Sequence, residues 1–179
     1  MNNESTKGPV VTLEHLTAFG GIIHSYALAE TGLKIALACL LDTDLVDLMI
    51  MTEPYNSASL GYVIRSIASA RDPITPASTE LIALADGLRD ASALRNSIAH
   101  DRWNAGLRAG SIRPTKLDIR TGKARVRGLS ETDVDYMVSD LHRANDNLVN
   151  LNRSIGAYLD RHDCHPRVTG RRDYSKAAD

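Results

Sequence analysis

Apolar side chains recur three or four positions apart through most of the chain, the spacing that lines one face of a helix. Thr12 is a helix-capping residue type. Behind it Leu16, Phe19, Ile23, Tyr26, Leu33 and Ala36 or Leu37 mark the inner side of a helix reaching about Leu41. The Gly20-Gly21 pair within it costs about 1 kcal/mol per glycine relative to alanine. Such a cost predicts either a close helix approach or a local bend. After a polar break at 42–44, residues 45–51 continue helically and Pro54-Tyr55-Asn56 interrupts them. Residues 58–70 resume with Leu60, Val63, Ile64 and Ile67. Asp72-Pro73 and Pro76 form the next turn, and Ser78 or Thr79 starts a helix carrying Leu81, Leu84, Leu88, Ala91 and Ile98 on one face. Asn104-Ala105-Gly106 is its expected stop.

Residues 111–129 change character. Thr121-Gly122 is a two-residue turn candidate that sets Ile119 opposite Ala124 and Leu117 opposite Val126. Asp118 then faces Arg125 on the other side, an opposite-charge cross-strand pair. A small hairpin at about 112–128 follows. Ser130-Glu131-Thr132-Asp133 resembles a capping box, and behind it the helical period is the most regular in the chain. It runs through Val134, Met137, Leu141, Ala144, Leu148, Leu151, Ile155 and Leu159, and its length implies a bundle edge or an interface.

These elements predict an all-α fold, a bundle of four to five helices with a hairpin inserted before the long last helix. At 179 residues the chain suits one domain, 12–160, with a polar arm at 1–11 and a polar, basic tail at 161–179 expected to be disordered. The composition, 43% hydrophobic but 4% aromatic, favours packed helices over a sheet sandwich. A net charge of -1 argues against a generally basic nucleic-acid binder but leaves local patches open. Met1 to Gly8 is polar without a leader pattern and no apolar run reaches membrane-spanning length, so a cytoplasmic protein with no membrane partner is expected. Cys39 and Cys164 are too few for a disulfide framework. His162, Cys164 and His165 lack zinc spacing and a fourth ligand, so no metal and no cofactor is expected.

The candidate chemistry sits in 91–103, ASALRNSIAHDRW. Arg95 falls in a gap of the apolar stripe, where the period asks for a core residue. Asn96 and His100, four apart, share a face, while His100 lies about 140° around the helix from Arg95. Taken as residue chemistry alone, a structural role is the commoner reading. An arginine on a packing face snorkels or holds a carboxylate, and a histidine in a last helical turn caps carbonyls. The alternatives are an anion or RNA-phosphate site and a polar network at an oligomer interface. Histidine moves protons near neutral pH and arginine holds phosphate in a bidentate fork. Glu30, on the stripe of Tyr26 and Leu33, either reaches solvent or orders Arg95 or His100. Between 108 and 127 stand seven cations (Arg108, Arg113, Lys116, Arg120, Lys123, Arg125 and Arg127) against one acid, either a solvated ribbon or a phosphate-contacting arm.

Arg95-Asn96-Ser97-Ile98-Ala99-His100 resembles the Arg, polar residue, three variable residues, His motif of the HEPN superfamily of compact helical bundles. The order of elements is similar too: a long first helix with a mid-course glutamate, a broken second helix, the motif near the end of a third with Trp103 following, and a long last helix. The resemblance covers most of 12–158, with the basic hairpin as an insertion. It implies a homodimer whose two motifs face one cleft and a metal-independent endoribonuclease of toxin or defence type. Under it His100 transfers the proton, Arg95 stabilises the developing charge and Asn96 positions a phosphate or the histidine. Glu30 and Trp103 would support the site. A separately encoded antitoxin or regulator is the implied partner. The alternatives are a non-catalytic dimeric protein-interaction or regulatory module of the same fold, and a nucleotide- or anion-binding module.

Overall fold

The computed structural model describes residues 10–53, 55, 57–70, 75–115 and 135–165. Among them are five helices: α1 (Leu13–Leu41), α2 (Leu45–Thr52), α3 (Ser57–Ala70), α4 (Pro76–His100) and α5 (Val138–Arg161). A two-stranded antiparallel hairpin, β1 (Arg102–Ala105) with β2 (Ile112–Thr115), lies between α4 and α5. The protein is thus mostly helical, with a small hairpin before its last long helix, as the hydrophobic period predicts.

Short polar side chains set the helix starts. The Thr12 N–H donates to Nδ1 of His15 at 3.3 Å and the His15 N–H to Oγ1 of Thr12 at 3.4 Å, a reciprocal cap with histidine in the usual glutamate place. Asp44 caps α2 by accepting the Val46 N–H at 2.8 Å. For α4 the cap is Thr75, whose Oγ1 accepts the Ser78 N–H at 3.1 Å, so the helix begins at Pro76 rather than at Ser78 or Thr79. A proline in the first helical position lacks only an N–H that has no helical partner there. At α5 the Met137 N–H donates to Oδ2 of Asp140 at 3.0 Å, and the helix starts at Val138, later than the period from Val134 suggests. Ser130 to Asp133, the expected cap, lies outside the described residues.

One expectation between α4 and α5 needs correction. The helix ends at His100, short of Asn104-Ala105-Gly106, because residues 102–105 pair as a strand. That strand takes Arg102 opposite Thr115 and Ala105 opposite Ile112, so the described hairpin lies earlier in the chain than the one centred on Thr121-Gly122. The pairing predicted about Thr121-Gly122 falls outside the described residues. Tertiary contacts of Trp103 and Ile112 outweigh the local period here.

The chain divides into two compact units, one drawn from Met1–Ala27 and Ala91–Asn150, the other from Leu28–Asp90 and Leu151–Asp179. In the first, Phe19, Ile22, Tyr26, Ile112, Leu141 and Leu148 are buried. Leu16, expected on the inner side, is instead 55% exposed. Gly21 resolves one alternative: a Cβ there would lie 3.1 Å from the Asn145 side chain, so this glycine serves close approach of α1 and α5. Asn145 Oδ1 accepts from the Ser25 hydroxyl at 3.0 Å in the same contact. In the second unit Leu33, Leu37, Leu48, Leu60, Ile64, Leu81, Leu88 and Ile155 are buried. A Cβ on Gly32 would lie 2.6 Å from Ile155, which fixes the α1–α5 approach in that unit. Arg65 grips both oxygens of Asp86 at 2.7 Å across α3 and α4, and Arg161 pairs with Glu80 across α5 and α4.

Candidate functional site

All three motif residues stand on the last turns of α4, within the first unit. Asn96 and His100 are exposed, as their shared face predicts, and His100 is the last residue of the helix. Arg95 is half-buried. Its guanidinium lies 5.5 Å from the centre of the Tyr26 ring, within cation–π range, and its Nη1 donates to Oδ1 of Asn96 at 3.0 Å. Its Nε is buried and has no hydrogen-bond partner. Among the described residues no carboxylate pairs with Arg95. A buried orphan donor costs about 1–3 kcal/mol, so Arg95 is held by packing and carries unused donor capacity.

The chain beyond His100 is pinned tightly. The Asp101 N–H continues the helical bonding to the Ser97 carbonyl at 2.9 Å, and one Asp101 carboxylate oxygen is buried and unpartnered. Trp103 donates its indole N–H to the same Ser97 carbonyl at 3.3 Å. Its ring packs 4.7 Å from Phe19 and edge-on 5.7 Å from Tyr136. Trp103 therefore acts as a wedge that fixes the α4 terminus against α1 and the strand-like segment at Tyr136.

The loop joining β1 to β2 is organised around a buried carboxylate. Asp135 Oδ2 accepts the backbone N–H groups of Leu107 at 2.5 Å and Arg108 at 3.0 Å, and the Ser111 hydroxyl at 3.1 Å. Its Oδ1 accepts from Arg113 at 2.6 and 2.8 Å. Gly106 is required, since a Cβ there would sit 2.8 Å from this carboxylate. Burial opposes ionisation of Asp135. The Arg108 N–H, the Arg113 side chain, the Leu107 N–H and the Ser111 hydroxyl outweigh it and hold the pKa at about 2. Asp140 is likewise held below the usual carboxylate range, first by the Met137 N–H, with Arg143 and Arg108 adding to the effect against some burial.

These contacts bear on the predicted cations. Arg113 is committed to Asp135, and Arg108 bonds the Asp135 carbonyl and stands 3.7 Å from Asp140. Lys116, Arg120, Lys123, Arg125 and Arg127 lie outside the described residues. Glu30 pairs with Lys34, one turn on along α1, at 2.9 Å. Sequence reasoning placed Tyr26 in the core without its role as the platform for Arg95, and it missed Asp101 and Asp135. Asp101 adjoins His100 and was open to inspection. Asp135 had no signal, because its partners come from a loop far away in sequence.

His15 is buried and its pKa is lowered by that burial, which the neighbouring Glu14 charge opposes. Among the described residues no group of three or more His, Cys, Asp or Glu side chains is arranged to hold a metal ion, and no helix is long and apolar enough to cross a membrane. Comparison of the chain with family models, curated proteins and solved structures yields no match.

Proposed function

We propose that this protein binds RNA and cleaves it as a metal-independent endoribonuclease, working as a homodimer. The observation that carries the reading is Arg95. Its guanidinium is steadied by Asn96 and the Tyr26 ring, meets no carboxylate among the described residues, and belongs to a motif whose Asn96 and His100 are exposed. In the reaction the ribose 2'-hydroxyl attacks the adjacent phosphorus, the 5'-oxygen leaves, and a 2',3'-cyclic phosphate and a 5'-hydroxyl result. His100 transfers the proton, Arg95 stabilises the charge that builds on the phosphoryl oxygens, and Asn96 orients the phosphate. Residues about 140° apart on one helix meet a single phosphate when a second copy faces the first, and closed two-fold pairing is the commonest way to supply it. A toxin or defence role with a separately encoded antitoxin or regulator fits such an activity, as does a cytoplasmic location.

A second reading, a non-catalytic dimeric interaction module, draws on Arg113 and Arg108. Their engagement by Asp135 and Asp140 withdraws two of seven cations from a phosphate track. The two readings separate on one experiment: incubation of a mixed RNA pool with the protein in EDTA, beside His100→Ala and Arg95→Ala. The ribonuclease reading requires cleavage by the native protein alone. Intact RNA with a folded native dimer favours the module.

A further inference from the structure

The first turn of α1 is closed by a side chain that titrates. The Thr12 N–H donates to Nδ1 of His15 at 3.3 Å, Oγ1 of Thr12 stands 2.7 Å from the same nitrogen, and the His15 N–H donates to that Oγ1 at 3.4 Å. A backbone N–H only donates, so Nδ1 accepts and carries no proton. The Thr12 hydroxyl then donates to Nδ1 and accepts the His15 N–H. This assignment leaves the ring proton on Nε2, which is buried and has no hydrogen-bond partner. The His15 residue as a whole is 2% exposed. Every hydrogen bond of the clasp thus requires the neutral ring protonated at Nε2.

We propose that the Thr12–His15 clasp is a proton-operated latch: the neutral ring holds the first turn of α1, and proton uptake by His15 releases that turn and loosens the Phe19–Trp103 contact behind it. An imidazolium carries an N–H at both ring nitrogens. A proton arriving at Nδ1 meets the Thr12 N–H donor to donor, and the Thr12 hydroxyl loses its acceptor. The new charge also stands in the first turn of a 29-residue helix, at the positive end of its dipole and out of contact with solvent. Phe19 lies four residues further along α1, on the same face as His15, and its ring is 4.7 Å from that of Trp103. His15, Ala18, Phe19 and Ile22 form one buried stripe, so the turn that His15 closes is continuous with the seat of the wedge at the end of α4.

The surroundings give the direction of the pH dependence. Burial lowers the His15 pKa, and the charge of Glu14, its neighbour on α1, opposes burial. Among the described residues no charged group of α4, the hairpin or α5 adds to these two effects. The folded protein therefore binds this proton less readily than the unfolded chain does. The stability tied to the clasp is complete above the ordinary histidine value of 6.5 and is lost as pH falls below it toward the lowered folded value. That window lies well above the titration of Asp135, at about 2.

The test follows the folded full-length protein from about pH 7.5 to about pH 5, beside His15→Gln. Glutamine in this place completes the ordinary capping box, accepting the Thr12 N–H without titrating. The other histidines are common to both proteins, so any difference belongs to His15. Hydrogen exchange is read by mass spectrometry and corrected for the intrinsic pH dependence of amide exchange. Protection of the first turn of α1 should fall about fivefold in the native protein, the equivalent of one lost N-cap, and should hold in His15→Gln. Over the same range Trp103 emission should shift to the red in the native protein alone. A long-range proton–nitrogen NMR spectrum of the native protein, which needs no variant, should show the Nε2–H form of His15 at the upper pH. An Nδ1–H form or an imidazolium there would overturn the proposal. So would first-turn protection that stays constant with pH in the native protein, or that falls equally in His15→Gln. Constant Trp103 emission while that protection falls would overturn the coupling to the end of α4.

Discussion

Trp103 is where the fold and the candidate site meet, and truncating it tests the connection. The indole makes two ring contacts, with Phe19 and Tyr136, and one hydrogen bond to the Ser97 carbonyl. Ring pairs contribute about 0.5–1.5 kcal/mol each beyond area burial, and a neutral hydrogen bond about 1 kcal/mol. Truncation of a fully buried Trp or Phe to Ala costs about 3–5 kcal/mol. Because Trp103 is half-buried, the lower end applies, about 3 kcal/mol for Trp103→Ala. For a chain of this length each kcal/mol lowers the melting midpoint by roughly 2–4 °C, so the expected fall is about 6–12 °C. Trp103→Phe keeps an aromatic ring and loses the indole N–H, for a fall of about 2–4 °C. Thermal unfolding followed by far-UV circular dichroism measures all three proteins. Trp103 is the sole tryptophan, so its fluorescence in the native protein reports this one environment and should shift to the red on unfolding. A loss below about 1 kcal/mol for Trp103→Ala, or the same emission in native and urea-unfolded protein, would refute the wedge.

Three other outcomes follow from the structure. The native pKa of Asp135 lies below its unfolded value, so the stability it confers is complete above the usual carboxylate range and disappears as pH falls through about 2. Asp135→Asn should flatten the urea-midpoint profile between pH 5 and pH 2, and unchanged slopes would show that the carboxylate is not the titrating group. Lys34 is buried and paired with Glu30 on its own helix, so a double-mutant cycle of Glu30→Gln and Lys34→Met should give a coupling of about 1 kcal/mol. Zero coupling would point Glu30 toward another group. Arg113 is occupied by Asp135, so Arg113→Ala should lower the melting midpoint and, under the proposed RNA binding, leave the salt dependence of that binding alone. A drop of about 1 in the log–log slope for Arg113→Ala would mean that Arg113 reaches phosphate after all.

Most helices were legible in the sequence because their apolar residues repeat at helical spacing and their starts carry capping side chains. Thr12 marked α1 to within a residue, and the break at 42–44 and the proline at 54 separated α1, α2 and α3. Helix ends set by distant partners were not legible. The stop of α4 at His100 depends on Trp103 finding Phe19 and Tyr136, and the late start of α5 depends on Met137 and Asp140. The strand partner of 102–105 also escaped the local pattern, since a four-residue strand with one half-buried side chain carries almost no alternation. At the candidate site the sequence supplied Arg95, Asn96 and His100 and the shared face of the last two. It did not supply the Tyr26 platform or the internal use of Arg113, because both arise from segments brought together only by folding.

The most direct test of the central claim is end-group analysis of RNA incubated with the protein in EDTA, beside His100→Ala and Arg95→Ala checked for folding by circular dichroism. The native protein should give fragments ending in 2',3'-cyclic phosphate and beginning with 5'-hydroxyl, and each variant should lose cleavage by at least about a hundredfold. Intact RNA with the folded native protein, or fragments produced equally by both variants, would contradict it.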